Sequence, residues 1–120
     1  MNIQRLQMLA ELLDKVKPDS FNISFWIANN NCGTVACAVG HACMHRPFNE
    51  MGLTLLGASP QFIIDGKAIK GWSAVYQFFD IDIDTADHLF FVNAYPQKER
   101  TPAHVVAARI RAVIAKEQKQ

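Results

Sequence analysis

The sequence lacks an excess of charge of either sign. It has 12 basic and 11 acidic residues, a formal net charge of +1, and the basic residues are spread along the chain. Proteins that bind nucleic acids usually carry a clustered basic surface. A nucleic-acid partner is therefore not expected.

Long hydrophobic runs and an export signal are also lacking. The most apolar stretch, residues 35–44, is too short to cross a bilayer and contains His41. The first residues form an amphipathic pattern with acidic side chains, unlike the charged and then apolar regions of a signal peptide. These features predict a soluble protein without membrane contact.

Cysteines are few and odd in number. All three lie between residues 32 and 43, so they form no paired disulfide framework. This usage is typical of a reducing compartment, and we expect a cytoplasmic location. With 120 residues, half of them hydrophobic, the chain is long enough for one buried core and predicts a single domain, residues 1–120.

Hydrophobic periodicity and capping residues predict a mainly α fold of the α+β class. Several helices are expected around one central buried helix, with a small β-hairpin near residues 61–70, where Asp65-Gly66 suits a type I′ turn. The predicted helices cover approximately residues 2–16, 34–44, 72–79 and 84–91 and a C-terminal stretch from residue 102. Their expected N-caps include Thr34, Asp84 or Thr85, and Thr101.

The segment predicted to be the central helix is apolar or small on nearly every side. Such a helix is enclosed by the rest of the protein. Ala36 and Gly40 leave a smooth strip on which a neighbouring backbone can lie closely. Arg46-Pro47 is expected to end the helix.

A first functional hypothesis makes Cys32 a nucleophile. The predicted position just before a helix N-terminus favours a thiolate and offers backbone N–H groups to an oxyanion. His41, His45 or His104 are the candidate bases. The alternative is that Cys32 is a half-buried residue beside a turn, without a catalytic role.

A second hypothesis is a metal site at Cys37 and His41. They are four residues apart and would lie on one helix face. No second paired cysteine element completes a tetrahedral site, and Cys43 would point elsewhere. In the alternative, the two cysteines are small core residues, His41 makes one internal hydrogen bond, and no metal or other cofactor is needed.

A third hypothesis is a binding surface. The chain is rich in aromatic residues, which fill a core in most cases but also suit the walls of a pocket. Trp26, Trp72 and Tyr95 are the candidate binding aromatics. The alternating Asp80 and Asp82 do not fit a calcium loop, because glycine and glutamate are missing at the required positions, but they could contact a basic partner.

The segment Cys32-Gly33-Thr34, Cys37 and Gly40-His41-Ala42 resembles a family of small, functionally uncharacterised bacterial and phage proteins. Later features resemble the same family: Phe78-Phe79, Ala86, Leu89-Phe90 and Tyr95-Pro96 before a C-terminal helix. The resemblance implies an architecture and a phage or mobile-element context.

Together these observations favour a non-catalytic binding protein, an accessory protein that modulates a host component. Its expected partner is a host protein or a small ligand, and self-association of the chain stays open. Whether the chain is an enzyme also stays open, because a cysteine-dependent enzyme with Cys32 as nucleophile is the main alternative. A small metal-binding or ligand-binding protein is the other.

Overall fold

The computed structural model describes residues 1–30 and 33–119, without the side chains of residues 29 and 30. These residues form six helices: α1 (Ile3–Leu13), α2 (Ala38–Cys43), α3 (Arg46–Glu50), α4 (Trp72–Phe79), α5 (Ile83–Phe90) and α6 (Ala103–Gln118). They also form five strands: β1 (Ala28–Asn30), β2 (Gly33–Val35), β3 (Leu53–Leu56), β4 (Ser59–Ile64) and β5 (Lys67–Lys70). The predicted mainly α, α+β class is confirmed.

Helix α1 packs against α6 and buries the predicted apolar stripe. Leu6, Leu9 and Leu13 are fully enclosed, as their spacing on one helix face requires. The Asn2 side chain caps the helix by accepting a hydrogen bond from the Arg5 backbone N–H at 3.0 Å. The helix ends at Leu13, three residues earlier than predicted.

The predicted central helix is buried, but its predicted beginning is wrong. Residues 33–35 form strand β2, which pairs with β1 so that Thr34 lies opposite Asn29, and α2 begins only at Ala38. Thr34 is therefore not an N-cap, and Cys37 occupies that position. The β-branched Thr34 and Val35 favour the strand once a partner strand is present.

The expectation that Arg46-Pro47 only ends a helix is also incomplete. Helix α2 ends at Cys43, and Arg46 begins the short helix α3 with Pro47 in its first turn. Proline suits this position because its missing N–H would have no partner there. Within α3, the Asn49 side chain donates to the carbonyl groups of Cys43 and Leu53 at 2.7 and 2.8 Å and joins α2 to β3.

The predicted hairpin is confirmed as strands β4 and β5. Asp65 and Gly66 both have positive φ angles, 51° and 76°, as a type I′ turn requires. Strand β3 was not predicted; it pairs antiparallel with β4 and makes a three-stranded sheet in the order β3-β4-β5. One face of this sheet packs against α2 and α4, while Leu56 and Ile63 are exposed on the other.

The two predicted helices after the hairpin are confirmed, with one correction at a cap. Helix α4 has the predicted bounds. Helix α5 is capped by Asp82, whose side chain accepts from the Thr85 N–H at 2.7 Å, and not by Asp84 or Thr85. Thr101 is likewise not an N-cap, because its hydroxyl donates to the Lys98 carbonyl at 2.6 Å and α6 begins at Ala103.

Most of the aromatic residues fill the core, as expected for a chain of this size. Phe78 lies at its centre, with its ring centroid 5.0 to 5.6 Å from those of Phe48, Phe62 and Phe79 in edge-to-face arrangements. Within residues 1–30 and 33–119, no helix has the length and apolar character needed to span a membrane.

Candidate functional site

An aromatic cleft opens where the chain segment after Phe21 meets the first turn of α2, the start of α4 and the end of α5. The cleft has a volume of about 200 Å³. Its walls are mostly apolar and are formed by Ile23, Ser24, Phe25, Trp26, Cys37, Trp72, Phe90, Phe91 and Val92. We call this set the aromatic cleft.

The loop that carries Phe25 and Trp26 is held to α2 by backbone hydrogen bonds. The Cys37 N–H donates to the Phe25 carbonyl at 2.7 Å, and the Asn22 N–H donates to the Ala36 carbonyl at 3.1 Å. Gly40 allows this contact, because a Cβ atom at that position would be 1.6 Å from the Trp26 backbone oxygen. The smooth strip predicted at Gly40 is therefore confirmed.

The two tryptophans of the chain meet in the cleft. The ring centroids of Trp26 and Trp72 are 4.8 Å apart with a tilt of 58°, and Trp72 also stacks on Tyr76 at 6.3 Å. Trp72 begins α4 directly after Gly71, whose φ of 64° favours glycine. The end of α5 forms another wall of the cleft. The backbone becomes extended there at Phe91.

The cleft is electrically neutral. Its described walls contain no Asp, Glu, Lys, Arg or His side chain, and Ser24 supplies a hydroxyl group. Burial raises the pKa of the Cys37 thiol to about 11, although the backbone N–H groups of Gly40 and Val39 act in the other direction. Cys37 is therefore a neutral, weakly polar part of the wall at physiological pH.

The candidate catalytic residues do not form one site among the described residues. Cys32 lies outside the described residues. His41 Nε2 donates to the Ser20 carbonyl at 2.7 Å, the internal hydrogen bond that was predicted, and burial lowers the His41 pKa. His104 lines a separate groove between the end of α1 and the start of α6, and His45 packs against Phe48.

The candidate metal ligands Cys37 and His41 do not belong to a cluster of ligands in the described residues. Cys37 and Cys43 are free, buried thiols, in agreement with the prediction that they act as small core residues. Burial raises the pKa of Cys43 to about 12. No group of three or more His, Cys, Asp or Glu side chains that could hold a metal ion occurs in the described part of the chain.

Comparison of the chain with protein-family models, curated proteins and solved structures found no match. The cleft itself is therefore the basis for a functional argument. Its aromatic walls and neutral lining are suited to an apolar group.

The candidate binding residues separate into two groups. Trp26 and Trp72 line the aromatic cleft. Tyr95 is buried, donates from its hydroxyl to the Leu89 carbonyl at 2.6 Å and is covered by the Arg109 guanidinium at 3.8 Å from the ring centroid. It stabilises the fold and is not available to a ligand.

Asp80 and Asp82 lie at the other end of α4, on the surface. The Asp80 carboxylate, 81% exposed, accepts from the Met1 ammonium group at 3.0 Å. Hydrogen bonds from the Thr85 hydroxyl and backbone N–H hold the pKa of Asp82 below its usual value. Both side chains therefore contribute negative charge near the start of α5.

Two residues of the cleft, Phe25 and Phe91, belong to the aromatic residues that the sequence offers as possible pocket walls, but neither was among the candidate binding residues. Phe25 and Phe91 flank the cleft and are 49% and 42% exposed. Phe91 directly follows the last helical residue of α5, and Phe25 is followed by Trp26, which breaks the alternating pattern of the segment. Aromatic residues at such irregular positions are the only sequence signal that could have indicated them.

Proposed function

We propose that this protein is a non-catalytic binding protein that holds an apolar side chain of a partner protein in the aromatic cleft. The observation that carries the proposal is the pair of exposed rings, Phe25 and Phe91, beside a neutral cleft with both tryptophans in its wall. The resemblance to phage proteins favours a host protein as the partner.

The size of the cleft favours a side chain over a whole small molecule. Sites for cofactors and drug-sized ligands have volumes of roughly 300 to 1,000 Å³. The aromatic cleft has about 200 Å³. Protein interfaces commonly depend on one large apolar side chain seated in a small desolvated pocket, surrounded by contacts that exclude water.

The exposure of Phe25 and Phe91 supports the same interpretation. Burying an aromatic side chain contributes a large apolar area at low entropic cost, and aromatic residues are enriched in protein interfaces. Both rings belong to one surface around the cleft. A partner that covers this surface would remove both rings from water.

The two described thiols, Cys37 in the cleft wall and Cys43 at the end of α2, support binding over covalent chemistry. Nucleophilic cysteines need a lowered pKa, whereas burial raises the pKa values of Cys37 and Cys43 to about 11 and about 12. The His41 ring nitrogen that faces Ser20 is already used in a hydrogen bond. The cleft therefore offers a surface for contact.

A displayed library of random peptides tests the proposal. We expect the selected peptides to share one large apolar or aromatic residue and to change the fluorescence of Trp26 and Trp72, the only tryptophans in the chain. Phe25→Ala and Phe91→Ala should each weaken binding by about tenfold, as expected for residues near the centre of an interface.

Leu56→Ala is the matched control, because Leu56 is 48% exposed on the outer face of the sheet and lies outside the cleft. It should leave the affinity unchanged. Equal affinity of Phe25→Ala, Phe91→Ala and the unmodified protein would overturn the proposal. Saturation of the cleft by indole without any peptide binding would instead assign it to a small ligand.

A further inference from the structure

A second hollow lies at the end of α4 that is farther from the aromatic cleft. It has a volume of about 490 Å³ and is open to solvent. Its walls are Tyr76, Ile81, Asp82, Ile83 and Asp84. We call it the acidic hollow.

The stacked rings of Trp72 and Tyr76 connect the two features. Trp72 lines the aromatic cleft, Tyr76 lines the acidic hollow, and their rings lie 6.3 Å apart at 23°. Helix α5 makes the same connection, since its beginning at Ile83 lines the hollow and Phe90 at its end lines the cleft. The cleft and the hollow therefore lie along the same two helices, α4 and α5, and the stacked rings join them.

The charge of the hollow itself is negative, while Asp84 also lines a neighbouring groove with Met1 and Lys116. The exposed carboxylates of Asp82 and Asp84 line the hollow, and no lysine or arginine is among the described residues that line either the hollow or the cleft. Ile83 is 58% exposed between the carboxylates, and Tyr76 offers its ring beside them. Carboxylates and an aromatic face together attract a guanidinium or ammonium group.

We propose that the segment of the partner protein that enters the aromatic cleft continues across Trp72 and Tyr76 and places a basic side chain in the acidic hollow. This inference rests on the proposed function and names the chemistry of the partner: an extended segment with an apolar anchor and a lysine or arginine. The apolar anchor fits the neutral cleft, and the basic residue complements the carboxylates.

The geometry of α4 sets the spacing between the two partner residues. Trp72 and Tyr76 are one helical turn apart, about 6 Å along the axis. Asp80 follows one turn later, about 12 Å from Trp72 along the axis. An extended peptide advances about 3.3 Å per residue, and side chains two or four residues apart point to the same side. The basic residue should therefore follow or precede the anchor by two or four positions.

The test uses a short synthetic peptide with blocked ends that contains one phenylalanine and, four positions along, one arginine, with glycine and serine elsewhere. Binding is measured by the fluorescence of Trp26 and Trp72. Replacement of the peptide arginine by glutamine should weaken binding about threefold, and by glutamate about tenfold, with smaller differences at high salt. Moving the arginine from the fourth to the third position after the phenylalanine should reduce the preference for arginine over glutamine.

Asp84→Asn should remove much of the preference for the arginine peptide over the glutamine peptide. Asp65→Asn is the matched control, because Asp65 is an exposed aspartate in the β4–β5 turn and lies outside the hollow. Asparagine also tolerates the positive φ of that position. The control should keep the full preference.

The outcomes separate this inference from the proposed function. Equal binding of the arginine, glutamine and glutamate peptides, with Phe25→Ala still weakening all of them, overturns the role of the hollow and leaves the cleft as the binding site. A preference for arginine that persists when the peptide phenylalanine is replaced by alanine, and that Phe25→Ala does not change, overturns the anchored segment and with it the proposed function.

Discussion

Gly40 determines how closely the loop of the aromatic cleft lies on α2. A Cβ atom there would be 1.6 Å from the backbone oxygen of Trp26 and 2.8 Å from the Cβ atom of Ala36. The first neighbour is backbone and not the end of a flexible side chain. A methyl group at this position therefore requires the loop to move away from the helix.

We expect Gly40→Ala to lower the free energy of unfolding by about 3 kcal/mol, the upper end of the usual cost of overpacking. Alanine is favoured over glycine inside a helix by about 1 kcal/mol, but the clash with Trp26 outweighs this gain. Urea unfolding followed by tryptophan fluorescence measures the change. The same variant should lose peptide binding at the cleft.

Gly57→Ala is the control for backbone strain without a clash. Gly57 has a φ of 62°, and nothing lies within 4 Å of an added Cβ atom. The strain of the left-handed conformation alone should cost about 1 kcal/mol. Similar losses in the two variants, or a gain at Gly40, would contradict the close contact between Trp26 and α2.

Some residues of the aromatic cleft could be predicted from the sequence and others could not. Trp26 and Trp72 were both candidates because rigid aromatic side chains suit the walls of a binding pocket. Their contact depends on the fold, since the loop before β1 and the start of α4 are far apart in the sequence. Phe25 and Phe91 were considered only as members of the aromatic set that could line a pocket, because solvent exposure of an aromatic side chain has no local signature.

At the scale of elements, the predictions succeeded where local signals decide the structure. Helix α4 follows its apolar periodicity, and the β4–β5 hairpin follows from Asp65-Gly66 at the turn. The beginning of α2 was wrong because pairing between β1 and β2, a tertiary effect, outweighs the helical pattern of the segment. Strand β3 was missed for the same reason: its partner β4 makes it a strand.

The two described cysteines, Cys37 at the N-cap of α2 and Cys43 at its end, lead to a chemical prediction. We expect neither Cys37 nor Cys43 to react appreciably with iodoacetamide near pH 7.5 in the folded protein. Thiols with pKa values of about 11 and about 12 are ionised to less than about one part in a thousand at that pH, and alkylation requires the thiolate and access to it. Tandem mass spectrometry assigns the label to each cysteine.

Unfolding in urea should make both α2 cysteines reactive, which provides the control within the same molecule. Localising the label matters because Cys32 lies outside the described residues and its reactivity is measured separately in the same spectra. Rapid labelling of Cys37 in the folded protein would show that the wall of the aromatic cleft opens to solvent. That result would remove an argument for a binding role of the cleft.

At the scale of the whole molecule, a charged pair joins α1 to α6. The Arg111 guanidinium donates to the two carboxylate oxygens of Asp14 at 3.1 and 2.5 Å and lowers the Asp14 pKa. A carboxyl whose pKa is lower in the folded than in the unfolded chain stabilises the fold at pH values above its unfolded pKa. This contribution is lost as the pH falls through the folded pKa. The pair is exposed, so its contribution is small.

His41 links the stability of the whole fold to pH, in a higher pH range than Asp14 does. Burial lowers the pKa of His41 below its usual 6.5, partly opposed by the hydrogen bond to Ser20. The unfolded chain therefore binds a proton at a higher pH than the folded chain does. The free energy of unfolding is therefore unaffected by His41 above about pH 6.5 and falls as the pH decreases from there towards the folded pKa. For one group the slope is at most about 1.4 kcal/mol per pH unit.

His41→Gln tests this link, because glutamine can still donate to the Ser20 carbonyl but does not titrate. We expect the free energy of unfolding, measured by urea denaturation at several pH values between about 5 and 7.5, to fall less steeply with decreasing pH in this variant. The pH dependence that remains includes the contribution of His88, whose pKa is lowered by burial and by the charges of Arg109 and Lys116. An unchanged slope in His41→Gln would show that His41 is protonated without cost in the folded chain.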